Sequence, residues 1–194
     1  MEGNGEATTS DEELFLRFRE RRDTAAFEVL YDRYETRLSS FAARMVGRGS
    51  VADDVLQETW IRVLKHVREW RPEAPLRTWL FRIARNLCLD YLKSKGVQLD
   101  AAGEPEPVST RDDTDAGAWV YPASDPLFIE IAEQAVLQLT PAQREVVLMR
   151  VDGMSFTEIS QATSVTANTL KSRMNEARKR IEAWLQARGY DGHA

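Results

Sequence analysis

Residues 154–180, MSFTEISQATSVTANTLKSRMNEARKR, constrain the fold more than any other stretch of the chain. Ser155 and Glu158 stand three residues apart, the spacing of a capping box, which predicts a helix start. Ser164-Val165-Thr166 breaks that helix, and Thr166 offers a cap for a second, longer one. Ile159, Ala162, Val165, Leu170 and Met174 form an apolar set able to lock the two helices together. Thr169, Lys171, Ser172, Arg173 and Arg178 are then expected to point outward. A helix-turn-helix presents its second helix to the major groove, where hydroxyls and cations suit phosphates and base edges. An ordinary helical hairpin with a solvated basic face fits the same pattern, so context has to decide.

At 194 residues the chain has room for one large domain or two small ones, and its 43% apolar share supplies a core. No apolar run is long enough to span a bilayer, and the MEGNGEATTSDEE start is acidic and polar. Neither a signal peptide nor membrane insertion is expected. Cys88 is the single cysteine, which fits a reducing cytoplasm and a small buried apolar role. With His66 and His193 the only histidines, no Cys/His metal site can be assembled. No Ser-His-Asp set, GxGxxG or P-loop is present, so neither catalysis nor a cofactor is expected.

The net charge of −5 hides an uneven distribution. Residues 61–95 carry nine basic and three acidic side chains, whereas residues 96–126 carry Arg111 against seven acids. That asymmetry points to polyanion contact at one place and avoidance of it at another.

The pattern along the chain is helical. Ser10 and Glu13 read as a capping box, and Phe27, Leu30, Tyr31, Tyr34, Leu38, Phe41 and Met45 recur at helical spacing up to Gly47 and Gly49. Ser50 with Asp53 predicts another helix start, and Pro72 and Pro75 interrupt it. A further helix is expected over 76–93, stopped by Gly96. From Val97 to Ser124 Gly, Pro, Ser, Thr and acids predominate, the composition of a flexible linker. Trp119, Val120 and Tyr121 stand out within it. Asp125-Pro126 and Thr140-Pro141 with Gln143 open two more helices, and Gly153 ends the second. The expected fold is all-α: two small helical domains, 1–96 and 125–194, on an acidic linker, 97–124.

Four segments in this order, ADDVLQETWIRV (52–63), LRTWLFRIARNLCLDYLK (76–93), LTPAQREVVLMR (139–150) and the helix-turn-helix, resemble bacterial sigma factors of the sigma-70 family. The similarity is to the small extracytoplasmic-function group. Residues from about Phe27 to Gly96 resemble region 2, and Leu127 to Leu185 resemble region 4. The resemblance implies a transcription initiation factor that binds core RNA polymerase and promoter DNA and is held by an anti-sigma factor until a signal arrives. Asp53, Asp54, Gln57, Glu58 and Arg62 match polymerase-docking positions; Asp54, Gln57 and Glu58 at i, i+3 and i+4 share one helix face. Trp70, Arg71, Arg77, Thr78, Arg82, Arg85, Asn86 and Lys93 match the part that reads and melts the −10 element. Melting requires aromatic pockets for extruded bases beside cations that hold the backbone. Trp79 and Phe81 fit the core as well. Thr166, Asn168, Thr169, Lys171, Ser172, Arg173 and Arg178 match the −35 recognition helix. Ser164 and Asn168 stand where the family commonly has glycine, and Glu176 would repel phosphates if it faced them. Fully extended, residues 97–124 span roughly 95 Å, more than the about 58 Å between elements roughly seventeen base pairs apart.

Two other readings remain at this point. A stand-alone helix-turn-helix regulator would need an apolar sensing pocket or a dimer face, and a sigma mimic could dispense with the basic cluster of 62–95.

Overall fold

A computed structural model of the chain describes residues 9–97 and 126–190, with side chains from 130 onward in the second segment. Trp119, Val120, Tyr121, the Asp125 cap and the 97–124 linker, apart from Val97, lie outside the described residues. Eight helices, and no strand among the described residues, follow in order: α1 (Asp11–Arg21), α2 (Thr24–Val46), α3 (Ser50–Lys65), α4 (Leu76–Ser94), α5 (Pro126–Leu137), α6 (Pro141–Val151), α7 (Phe156–Thr163) and α8 (Ala167–Gln186).

Local chemistry sets most boundaries. Ser10, Asp23, Thr140, Ser155 and Thr166 each accept a backbone N–H three residues on, capping α1, α2, α6, α7 and α8. Thr140/Gln143 and Ser155/Glu158 close reciprocal capping boxes. One expected cap is corrected: Ser50 is the first residue of α3, Gly49 takes the cap position, and no side chain bonds there. Gly49 has φ +117, a backbone that disfavours any residue with a Cβ. Pro75 likewise gives α4 no side-chain cap. Glu12 of α1 substitutes, its carboxylate accepting from the Leu76 N–H at 3.0 Å.

Helices α1–α4 pack around Phe15, Leu30, Tyr34, Leu38, Met45, Trp70, Leu80 and Phe81. Edge-on aromatic pairs, Phe15–Trp70 at 5.4 Å and Phe41–Phe81 at 5.3 Å, fill its centre. Helices α6–α8 pack around Val146, Met149, Met154, Ile159, Leu170, Ala177 and Ile181, and α5 leans on α8. Burial of each such large apolar side chain contributes about 1.5–3 kcal/mol.

The two bundles also touch each other, which hydrophobic periodicity does not foretell. α2 lies against α5 and α6, and α4 against α6 and α7. The Arg144 guanidinium helps join them. It donates to Met45 O at 2.9 Å and Arg44 O at 3.4 Å in one bundle, and to Val136, Leu137 and Leu139 carbonyls in the other. A cation is thereby placed at the negative ends of α2 and α5. Burial pulls the Arg144 guanidinium below its ordinary pKa.

Candidate polymerase and nucleic-acid interfaces

On α3, Val55, Thr59 and Val63 point inward, which turns Asp53, Asp54 and Gln57 to solvent with Glu58 half-buried beside them. Arg62 donates to Glu58 across one turn at 3.0 Å, so that face is ordered at its far end. The Thr59 hydroxyl satisfies itself on Val55 O at 2.7 Å. An acidic and amide surface therefore stands clear of both bundles.

The loop from His66 to Pro75 and the helix α4 carry the cationic cluster. Arg71, Arg82, Asn86 and Lys93 are exposed, and Arg77 and Arg85 are half-buried. Two expected members are corrected. Trp70 is 1% exposed, packed edge-on to Phe15, with its indole N–H on Ala74 O at 3.2 Å. Its ring is turned into the core and shapes the loop from inside. Thr78 is also buried, because it shares the inward phase of α4 with Phe81 and Leu92. Trp79 sits at the rim of the core against Phe15, at 5.6 Å. Helix α1 braces this loop: Arg19 donates to Trp70 O and Glu12 receives Leu76 N. No local pattern signals either contact, because the partners lie 51 and 64 residues apart in the chain.

On α8, Thr166 and Asn168 are exposed, and Lys171, Ser172 and Arg178 are half-exposed. Thr169 and Arg173 are corrected: both are buried, Arg173 at 9% exposure with its guanidinium 3.5 Å from Glu145. Thr169, Arg173 and Ala177 stand at i, i+4 and i+8, one inward row. Lys171 lies 5.9 Å from the Phe156 ring centroid, and Arg150 4.9 Å from the same ring. The outward row runs instead through Asn168, Lys171, Ser172 and Asn175. Glu176 is exposed beside that row, one turn on from Ser172, whose hydroxyl donates to it at 3.5 Å. It also accepts from Gln143 of α6 at 3.1 Å.

Three cations of α4 are already engaged. Arg77 grips Glu158 with two bonds of 2.7 Å, and Arg85 donates to Glu145 at 2.6 and 3.3 Å. Arg82 donates to Gln161 O. Burial alone would raise the Glu158 carboxyl, but bonds from Ser155 and Arg77 outweigh it and hold the group below the ordinary carboxylate range.

Among the described residues, a cationic helix is followed by a helix-turn-helix, an order that suits contact with DNA. The sigma-70 region 2 family matches residues 30–97 and the sigma-70 region 4 family matches residues 129–181. The RNA polymerase sigma factor CarQ of Myxococcus xanthus is 33% identical over 162 residues, covering 82% of this chain and 89% of that protein. The ECF sigma factor SigL of Mycobacterium tuberculosis is 32% identical over 174 residues, covering 86% and 93%. The solved structure of CnrH in complex with the cytosolic domain of CnrY shares the fold, with a TM-score of 0.68 at 22% identity over 92% of this chain and 99% of that one. The chain belongs to the extracytoplasmic-function sigma factors of the sigma-70 family. It is a transcription initiation factor and not an enzyme. No helix among the described residues is long and apolar enough to cross a membrane.

Proposed function

We propose that the α1–α4 bundle docks on core RNA polymerase through Asp53, Asp54, Gln57 and Glu58 and holds the −10 element along α4. The α5–α8 bundle then reads the −35 element through Thr166, Asn168, Lys171, Ser172 and Arg178, at the domain boundaries 1–96, 97–124 and 125–194. The observation that carries this reading is the exposure of Asp53, Asp54 and Gln57 on one face of α3, with the cations of α4 on the next helix. Phosphate contacts from Arg71, Arg77, Arg82, Arg85 and Lys93 fix register, while base contacts from Asn86, Asn168 and Lys171 supply choice. Arg173 acts from within α8, holding the helix to Glu145. The chain works in the cytoplasm, and an anti-sigma factor controls it. This last reading is supported by the fold shared with a sigma factor solved with the anti-sigma factor NepR, from Bartonella quintana, at TM-score 0.61.

Run-off transcription with purified core polymerase on genomic fragments tests the proposal. Discrete transcripts dependent on this chain are expected. Their absence with a folded protein overturns the reading, as does unaltered core binding after Asp54→Ala with Gln57→Ala.

A further inference from the structure

The contact between the bundles joins a set of ion pairs to an apolar seam, since the buried side chains of both bundles form one continuous cluster. Arg37 of α2 binds Asp152 with bonds of 2.8 and 2.6 Å, and Arg48 binds Glu133 at 2.6 Å. On α4, Arg77 and Arg85 take Glu158 and Glu145 as described. Every one of these pairs has its guanidinium on the first bundle and its carboxylate on the second. Between them lies an open cleft of about 200 Å³, lined in part by Arg37, Phe41, Phe81, Leu148 and Val151, where a tightly joined pair of domains would be filled. Contacts that combine ion pairs with an unfilled cleft are those that separate reversibly.

We propose that this closed packing is a self-made latch: carboxylates of the α5–α8 bundle occupy the arginines of α4 that hold promoter phosphate, so closure and DNA binding exclude each other. The proposal rests on the reading of α4 as the −10 face. The acids are arranged so that opening strands no buried charge. Glu145, 1% exposed, keeps Arg173 of its own bundle when Arg85 leaves. Glu158 keeps the Ser155 N–H and hydroxyl, both at 2.8 Å, when Arg77 leaves. Asp152, the C-cap of α6, is 12% exposed beside Arg37 and gains water on release. The released Arg77, Arg82 and Arg85 lie on one helix, and a phosphate chain offers them the charge they lose. Glu145 thus has two duties: it competes for Arg85 in the closed form and positions Arg173 of the recognition helix in both.

The test uses the full chain. Small-angle scattering should give the parent a radius of gyration near the about 16 Å of a compact chain this long, and Asp152→Asn with Glu158→Gln should raise it by several ångströms. Glutamine preserves the α7 capping box. A fluorescein-labelled random single strand of about 20 nucleotides should bind the variant about tenfold tighter, because a larger fraction of molecules is open. Adding Arg82→Ala and Arg85→Ala should abolish that gain. Glu130→Gln with Glu182→Gln, the same charge change at exposed sites, should not reproduce it. Asp152→Arg should open the chain by repelling Arg37, and Arg37→Asp added to it should close the chain again. A folded Asp152→Asn/Glu158→Gln protein with the parent's radius and affinity overturns the latch, as does opening without a gain in affinity or a failure to reclose. The −10 reading falls separately: run-off transcripts unchanged by Arg82→Ala with Asn86→Ala would sink it, whatever the scattering shows.

Discussion

Arginine is used three ways in this chain, and burial separates them. Arg71 and Arg82 stay at the surface, Arg77 and Arg85 pair half-buried, and Arg173 is enclosed with Glu145. Removing the partner of an enclosed charge costs more than removing that of an exposed one. Glu145→Ala is therefore expected to lower the stability of the α5–α8 bundle by roughly 3–5 kcal/mol, since it leaves Arg173 buried and unpaired; urea unfolding measures it. Trp70→Ala should cost about 3–5 kcal/mol, as for other large core truncations. Trp70→Phe, which keeps the ring packing against Phe15, should retain most of that stability and the transcripts; a stable Trp70→Phe protein without activity would return Trp70 to the DNA face. Cys88 is fully buried, and burial pushes its thiol up from the ordinary 9.0 to about 12. The folded chain thus favours the protonated thiol. That contribution is complete below pH 9.0 and is lost as pH climbs toward 12. At neutral pH a thiol reagent should label Cys88 only on the timescale of unfolding, and rapid labelling of the native chain would contradict its enclosure.

At the scale of elements, what is local was legible and what is long-range was not. Ser155, Glu158, Thr140, Gln143 and Thr166 announce their helices because a cap is decided within four residues. Trp70 misled because an aromatic beside cations reads the same whether it faces a base or a core. Arg173 misled because a charged residue counts as outward until a buried acid on another helix is known. Glu12 could not be found by pattern, being 64 residues from the backbone N–H it caps. Its loss through Glu12→Ala should cost about 1 kcal/mol, the usual worth of a cap, and should loosen the loop before α4, measured by amide exchange at Leu76. The turn of the helix-turn-helix gives a prediction of opposite sign. Ser164 ends α7 with φ 59, a left-handed backbone that a side chain resists by roughly 1–2 kcal/mol. Ser164→Gly relieves this but frees the unfolded chain, so a net gain of about 0.5 kcal/mol is expected, read as a rise in Tm. A fall would mean the serine side chain stabilises the turn.

For the whole molecule, composition suggested two bodies on a string, whereas the described residues form two bundles joined by arginine–carboxylate pairs, by Arg144 and by a shared apolar seam. Net charge could not reveal this, because the acids of 127–194 balance the bases there and look inert in a tally. Closure then inherits the titration of those acids. The Arg48 guanidinium beside Glu133 holds its carboxyl below the ordinary glutamate value of 4.5, and Glu158 is held below it as well, by Ser155 and Arg77 against the opposing effect of burial. A carboxyl depressed in the closed form stabilises it fully above 4.5 and ceases to do so as pH falls through its lowered value. Groups facing these two across the interface are arginines, charged at every pH concerned. Acidification below about pH 4.5 is therefore expected to part the bundles while each keeps its own helices, since the apolar contacts inside a bundle do not titrate. Scattering and far-ultraviolet circular dichroism recorded from pH 6 downward distinguish the outcomes. A radius that grows before helicity declines supports closure by charge. Radius and helicity changing together, or a radius constant until the helices melt, would show that apolar packing across α2, α4 and α6 holds the bundles instead.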